Sequence, residues 1–167
     1  MSDKARGRSS PLGNSQGNGQ WLTLVATTGG KLGLITGLVH DCYFDVDKIE
    51  FDEIKGELRI PFDYGADKEA RVLRRIWFLS KAETPFLEAL LTIHKVKNWA
   101  LNDTEGIGSY DFNELTFDEK SQTVTVKSNV PLGLSAEVEN LQVSVSISDS
   151  VVDRQVGWRM FDFRLTT

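Results

Sequence analysis

The sequence predicts a mainly antiparallel β fold: all-β, or α+β if one short helix is present. Three observations lead there. Residues 141–148, "LQVSVSIS", alternate without a break: Leu141, Val143, Val145 and Ile147 against Gln142, Ser144, Ser146 and Ser148. That is the period of a strand with one wet face. Residues 48–60, "KIEFDEIKGELRI", set two alternating runs about a polar turn, a hairpin signature. The stretch has a near-echo 66 residues later in "ELTFDEKSQTVTV", so a three-strand unit is written twice. Two tandem units of this kind pack as a sandwich or a barrel-like sheet.

Residues 1–20 hold Gly, Ser, Asn, Gln and Arg with hardly an apolar side chain. They cannot offset their ordering entropy and read as a disordered tail, leaving residues 21–167 as a single β-rich domain. "WLTLVA" (21–26) is a first strand, and the glycine-dense "GGKLGLITG" after it reads as loop or irregular backbone. In the hairpin, Ile49 and Phe51 alternate with Glu50 and Asp52. Leu58, Ile60 and Phe62 then alternate with Arg59 and Pro61, and Gly56 is free to take a positive φ at the turn. Pro61 cannot donate to a ladder and marks an edge or a bulge. Val72–Leu79, rich in β-formers, is the third strand.

Residues 84–101 allow two readings. Thr84 as cap and Pro85 at the first helical position would open an amphipathic helix. The β-branched "LLTIHKV" instead suits a strand paired with "RIWFLSK" across "AETPF", and strand is the reading adopted for 89–97. In the second half Phe117 ends a strand, "DEKSQ" turns, and Val124 and Val126 begin the return. Leu141–Ile147 follow as third strand, and "VGWRMFDFRL" supplies a last one with Phe161, Phe163 and Leu165 on one side. At the fixed offset Asp45, Phe51, Asp52 and Glu53 fall on Asp111, Phe117, Asp118 and Glu119, and Trp77 and Leu79 fall on Val143 and Val145. The pseudo-repeat therefore spans 40–80 and 106–148. The paired carboxylates of F-D-E mark its turns, where Asp readily caps the backbone.

Composition narrows the function. The net charge is −5, and residues 1–20 carry Lys4, Arg6 and Arg8 against Asp3, so the rest sits at −7. Nucleic acid, which needs clustered cations, is disfavoured, and Trp77 and Trp99 beside Arg74 and Arg75 read as core rather than as base-stacking platforms. Cys42 is the only cysteine, which excludes an internal disulfide. With Asp41 and Asp45 nearby it reads as an inert, partly buried thiol. No apolar run has the length of a membrane span, and the first residues lack a signal-peptide core, so the expected compartment is the cytoplasm.

Candidate chemistry is confined to one segment. Asp41, Asp45 and Asp47 offer hard oxygens for a divalent cation, although an EF-hand started at Asp45 would have Ile49 at its fifth position and Glu50 where glycine belongs. His40 beside Asp41 is a candidate general base, but adjacent side chains diverge in regular backbone. "TTGGKLG" lacks the first glycine and the Ser or Thr of a P-loop, and there is no G-x-S-x-G elbow. No cofactor is implied, with a divalent cation left open.

The runs "VHDCYFDVDKIEFDEIKGELRIPF" and "IGSYDFNELTFDEKSQTVTV…VENLQVSVSI" resemble a family of small uncharacterised bacterial β-rich proteins, in which a His-Asp leads into β-hairpins. The layout is similar to that of predicted toxin-immunity proteins. The likeness covers roughly residues 38–148 and brings no catalytic residues with it. An acidic surface, exposed strand edges suited to β-augmentation and no assembled catalytic set point to a non-enzymatic protein that binds another protein, with the immunity-type role as the narrower form and homo-oligomers open through the same edges. The alternatives are a metal-dependent or acid–base enzyme built on His40, Asp41, Asp45 and Asp47, and a small-ligand carrier with an apolar cavity between the two units.

Overall fold

The computed structural model describes residues 22–77 and 79–160. β1 (Leu22–Ala26) is followed by a helix, α1 (Gly29–Val39), which corrects the loop expected of "GGKLGLITG". Thr28 caps it, its hydroxyl accepting from Lys31 N at 3.4 Å, and Leu32, Ile35 and Val39 form one buried face. Burying that face outweighs the roughly 1 kcal/mol that each glycine costs a helix relative to alanine. The helix ends at His40, and Asp41 turns the chain in the left-handed region at φ +64°.

Eleven more strands follow among the described residues. They are β2 (Tyr43–Asp45), β3 (Glu50–Asp52), β4 (Glu57–Gly65), β5 (Arg71–Ile76), β6 (Leu79–Ile93) and β7 (Val96–Asn102), then β8 (Ser109–Asp111), β9 (Glu114–Asp118), β10 (Thr123–Lys127), β11 (Gly133–Val138) and β12 (Val143–Met160). The 66-residue offset carries β2 onto β8 and the start of β4 onto that of β10 without a gap. It also carries Gly56 (φ +62°) onto Gln122 (φ +52°), whose carbonyls accept from Val96 N and Val138 N, both at 2.9 Å. Asp52 Oδ1 accepts from Lys55 N at 3.1 Å and Asp118 Oδ1 from Lys120 N at 3.0 Å, so each F-D-E carboxylate caps its own turn. β2 and β8 pair with each other, and Phe44 there faces Tyr110, its own equivalent. A local two-fold relates these two short strands at that point.

The third strands differ from the expectation. β4 is flanked by β6 and β10 by β11, whereas β5 pairs along the outer half of β6. High β-propensity places Val72–Leu79 in strand but says nothing about which neighbour they take or what covers them. Residues 84–93 are strand, since both flanks of β6 pair, with β12 along one and with β4 and β5 along the other. The turn falls at Trp77 and not at "AETPF"; β6 ends at Ile93 and β7 begins at Val96, beyond a turn at Lys95 (φ +55°). Trp77, expected in the core, is 92% exposed there. Pro61 sits past the end of β3, which reaches only Glu57–Arg59, so β4 is an edge at that point. "VGWRM" continues β12 and starts no new strand. The tail 1–20 and Phe161, Phe163 and Leu165 lie outside the described residues.

The strands form a large sheet in the order β1-β12-β6-β4-β3, with β5 also on β6, a second sheet in the order β7-β11-β10-β9, and the β2–β8 pair. These sheets stay open rather than closing into a barrel. One contiguous core joins them: Leu58, Leu91 and Val143 from the first, Val124 and Leu134 from the second, α1, and Phe44 and Tyr110 from the pair. Phe112 is wedged among them, its ring 4.5 Å from that of Phe44 and 5.3 Å from that of Phe62.

β4 and β5 run end to end along the same flank of β6, separated by a kink at the short 3-10 turn Asp67–Glu69. Inside the kink the large sheet lies on the core. Outside it, β5, the first half of β6 and residues 151–160 of β12 extend as a three-stranded arm. Every described side chain of β5, and those of β12 from Val151 to Trp158, are exposed.

Candidate functional site

The end of α1 and the start of β2 are tied down by backbone bonds: Asp41 N to Phe112 O at 3.0 Å and Phe112 N to Cys42 O at 2.9 Å. With Asp41 left-handed, the two adjacent side chains converge instead of diverging, and His40 Nδ1 lies 3.0 Å from Asp41 Oδ2. Both are largely exposed, so water competes for every proton they could exchange.

The dyad stands on the lip of a cleft of about 620 Å³ whose walls include Asp41, Asp45, Asp63 and Asp67. Through His40, Cys42, Gly65 and Asp67 it adjoins a more apolar space of about 650 Å³, lined also by Leu22, Leu38, Tyr64, Leu87 and Ile147, with Glu69 and Asp149 at its rim. This space lies at the kink of the large sheet and is lined from both repeats, by His40, Cys42 and Tyr64 of the first and by Ile147 and Ser148 of the second. Acidic side chains predominate among the charged described residues that line both parts. Phe86 and Gln155, at the root of the arm, close one side.

The predicted metal ligands do not assemble. Asp45 lines the cleft but binds Lys48 Nζ at 2.7 Å, and bonds from Lys48 and Ser109 hold its carboxyl below the usual range. Asp47 lies in the turn Val46–Lys48, outside the cleft wall. Among the described residues no three His, Cys, Asp or Glu side chains converge as a metal would require. Burial, reinforced by the charges of Asp41 and Asp67 against one backbone bond from Gly65, pushes the Cys42 thiol up to about 11. Burial therefore disfavours the thiolate that a nucleophile requires.

A second constellation went unforeseen. On the far face of the large sheet His94 Nε2 lies 2.8 Å from Ser144 Oγ, and His94 Nδ1 lies 3.3 Å from Glu57 Oε1. These are the connections of a Ser-His-acid triad. Two features deny it that chemistry. Ser144 lies near the start of β12 but is laddered on both sides, to Val25 and to Thr92, so the ladders engage the surrounding amides that an oxyanion hole would need. Glu57 is also drawn off by Arg59 Nη2 at 2.6 Å, the main cause of its lowered pKa. The set is a cross-strand hydrogen-bond network. The only sequence signal was the serine row of β12.

Comparison with family models, with curated proteins and with solved structures gives no match. The reading of the site rests on its own geometry.

The arm is the other feature on this side of the molecule. Trp158, Lys81 and Arg74 stand abreast across its three strands, with Val156, Glu83 and Arg71 in the next row. Trp158 is 52% exposed, and Val72, Leu73, Ile76, Val151 and Val152 are exposed too. Residues 70–87 and 150–160 carry six Lys or Arg against two acids, so the remainder of the chain holds −9. The molecule presents a cationic, aromatic-tipped projection beside an acidic cleft.

Proposed function

We propose that this chain acts by binding another protein, with the β5–β6–β12 arm as its docking element. The arm itself carries this reading. It is a sheet segment whose described side chains on β5 and outer β12 are exposed, rich in the Trp and Arg side chains that dominate interface energetics, with Val72, Leu73, Ile76, Trp77 and Trp158 among its exposed apolar residues. β5 and the outer part of β12 also offer free edges for strand addition among the described residues. An immunity-type role, with a toxin as the protein bound, is the narrower form. The lone, half-buried cysteine fits a cytoplasmic setting. No helix among the described residues is long and apolar enough to cross a membrane.

The test is a pull-down from the native host with the wild-type chain and with Trp77→Asp. A stable stoichiometric complex that the variant loses supports the reading, and an empty pull-down sinks it.

The second reading, an acid–base or metal-assisted enzyme, is favoured by the 3.0 Å approach of His40 to Asp41 at the cleft. It predicts a melting temperature that rises with Ca²⁺, Mg²⁺ or Mn²⁺. No shift in the wild type, or an equal shift in Asp41→Asn, removes it.

A further inference from the structure

The partner that the arm fits best on this molecule's own chemistry is a second copy of the chain. We infer that the arm of one copy seats in the acidic cleft of its mate, and the reverse, in a closed two-fold dimer. This rests on the reading of the arm as a protein-docking element and names its partner.

Three observations converge. First, the two surfaces are complementary within one sequence. The arm carries an excess of four positive charges, and Asp41, Asp63 and Asp67 line the cleft with Asp149 in the space adjoining it. Second, the apolar parts correspond: Trp77 and Ile76 at the arm's tip match the space walled by Leu38, Tyr64 and Leu87. Third, the arm cannot serve its own cleft. Phe86 at its root lines the cleft, and the tip at Leu79 lies seven residues further along β6. At ~3.3 Å per residue that is about 23 Å away, along a ladder that would have to break to fold back. Contact between tip and cleft must therefore be made in trans.

Two arms laid antiparallel, each rooted beside its own cleft, bring each tip to the other's cleft. A pair of unlike surfaces then closes as an isologous dimer with neither surface left over. An anionic bilayer or a nucleic acid would meet the same cations, but both would be repelled by the −9 carried on the rest of the chain.

The experiment is sedimentation velocity of the full chain over a concentration series at low and at high salt. The expected result is a dimer whose dissociation constant rises at least about tenfold between roughly 0.05 and 0.5 M salt, as exposed charge pairs are screened. Arg74→Glu should be monomeric with an unchanged circular dichroism spectrum, because the side chain lies on an exposed strand. Adding Asp63→Arg to Arg74→Glu should restore the dimer by exchanging the charges across the contact. A wild-type chain that stays monomeric at its highest soluble concentration overturns the inference, as does an Arg74→Glu variant that dimerises as before. If the monomeric wild type loses a host partner on Arg74→Glu substitution, self-association fails and the docking reading stands. If that capture is unaffected, both fail. Arm-dependent co-sedimentation of the monomer with phosphatidylserine vesicles, or with a single-stranded oligonucleotide, likewise overturns the dimer.

Discussion

Removing the Phe112 ring tests whether the β2–β8 pair is the keystone of the core. Phe112 is 1% exposed and touches Phe44 from the first repeat and Phe62 from β4. Phe→Ala changes in cores cost about 3–5 kcal/mol, the upper end applying where the site cannot collapse. Here collapse is resisted, because the Phe112 backbone is bonded on both its N–H and its C=O to residues 41–42. Two ring contacts, each worth about 0.5–1.5 kcal/mol beyond area burial, are lost as well. Phe112→Ala should therefore cost about 4–5 kcal/mol, a large part of the roughly 5–15 kcal/mol that holds a domain together. At about 2–4 °C per kcal/mol, the melting temperature should fall by roughly 8–20 °C. Urea unfolding followed by circular dichroism measures it, with Ile54→Ala as control, since Ile54 is 98% exposed and should shift stability by no more than ~0.5 kcal/mol. A loss below ~2 kcal/mol for Phe112→Ala would refute the reasoning, because the ring would then not be bridging the halves.

The other predictions concern charge and backbone. Burial opposes the charge of Asp111, yet bonds from Ser128 Oγ and from the Asn129 amide and side chain outweigh it, and its carboxyl sits below the usual range. Its folded value lies under the unfolded one, so its contribution is full above about pH 4 and is lost as pH falls through the depressed folded value. Asp111→Asn should flatten that acid limb in a pH series of melting temperatures; an unchanged slope contradicts the assignment. Gly33→Ala and Gly37→Ala should each stabilise by about 0.5–1 kcal/mol in urea titrations, because an added Cβ meets nothing within 4 Å and the helix gains propensity. A loss would mean the segment is not helical. Gly56→Ala should cost about 1–2 kcal/mol, its φ being +62° and its Cβ 3.2 Å from Val96 O. At the equivalent turn, Gln122→Gly should stay within ~0.5 kcal/mol of wild type, because relief of the left-handed strain offsets the added chain entropy. Equal losses at the two positions would break the correspondence between the turns.

What the sequence disclosed followed from how local each determinant is. The hairpin at Ile49–Phe62 and the row Leu141–Ile147 were legible because a half-buried strand imposes a two-residue period. α1 was hidden by its glycines, although Leu32, Ile35 and Val39 already held the spacing of one helical face; propensity was weighed and burial was not. β5 was legible as strand but not as uncovered, because Val and Ile serve a pleated surface whether or not a second layer lies on it. The approach of His40 to Asp41 depends on one left-handed residue. The Ser144–His94–Glu57 network depends on a register among three strands far apart in the chain. Neither leaves a mark in composition or period.

The order of the large sheet also sets a timetable for synthesis. β6 gains its partner on one flank only when β12 appears, and β12 ends 67 residues after Ile93. At ribosomal rates of about 5–20 residues per second, that flank waits roughly 3–13 s. During this interval a fifteen-residue strand carrying Leu87, Leu91 and Ile93 is an open edge, while the β7–β11 sheet, whose strands lie close in sequence, can already fold. The nascent chain is thus most prone to pair with a neighbour after its second sheet is complete and before β12 is made.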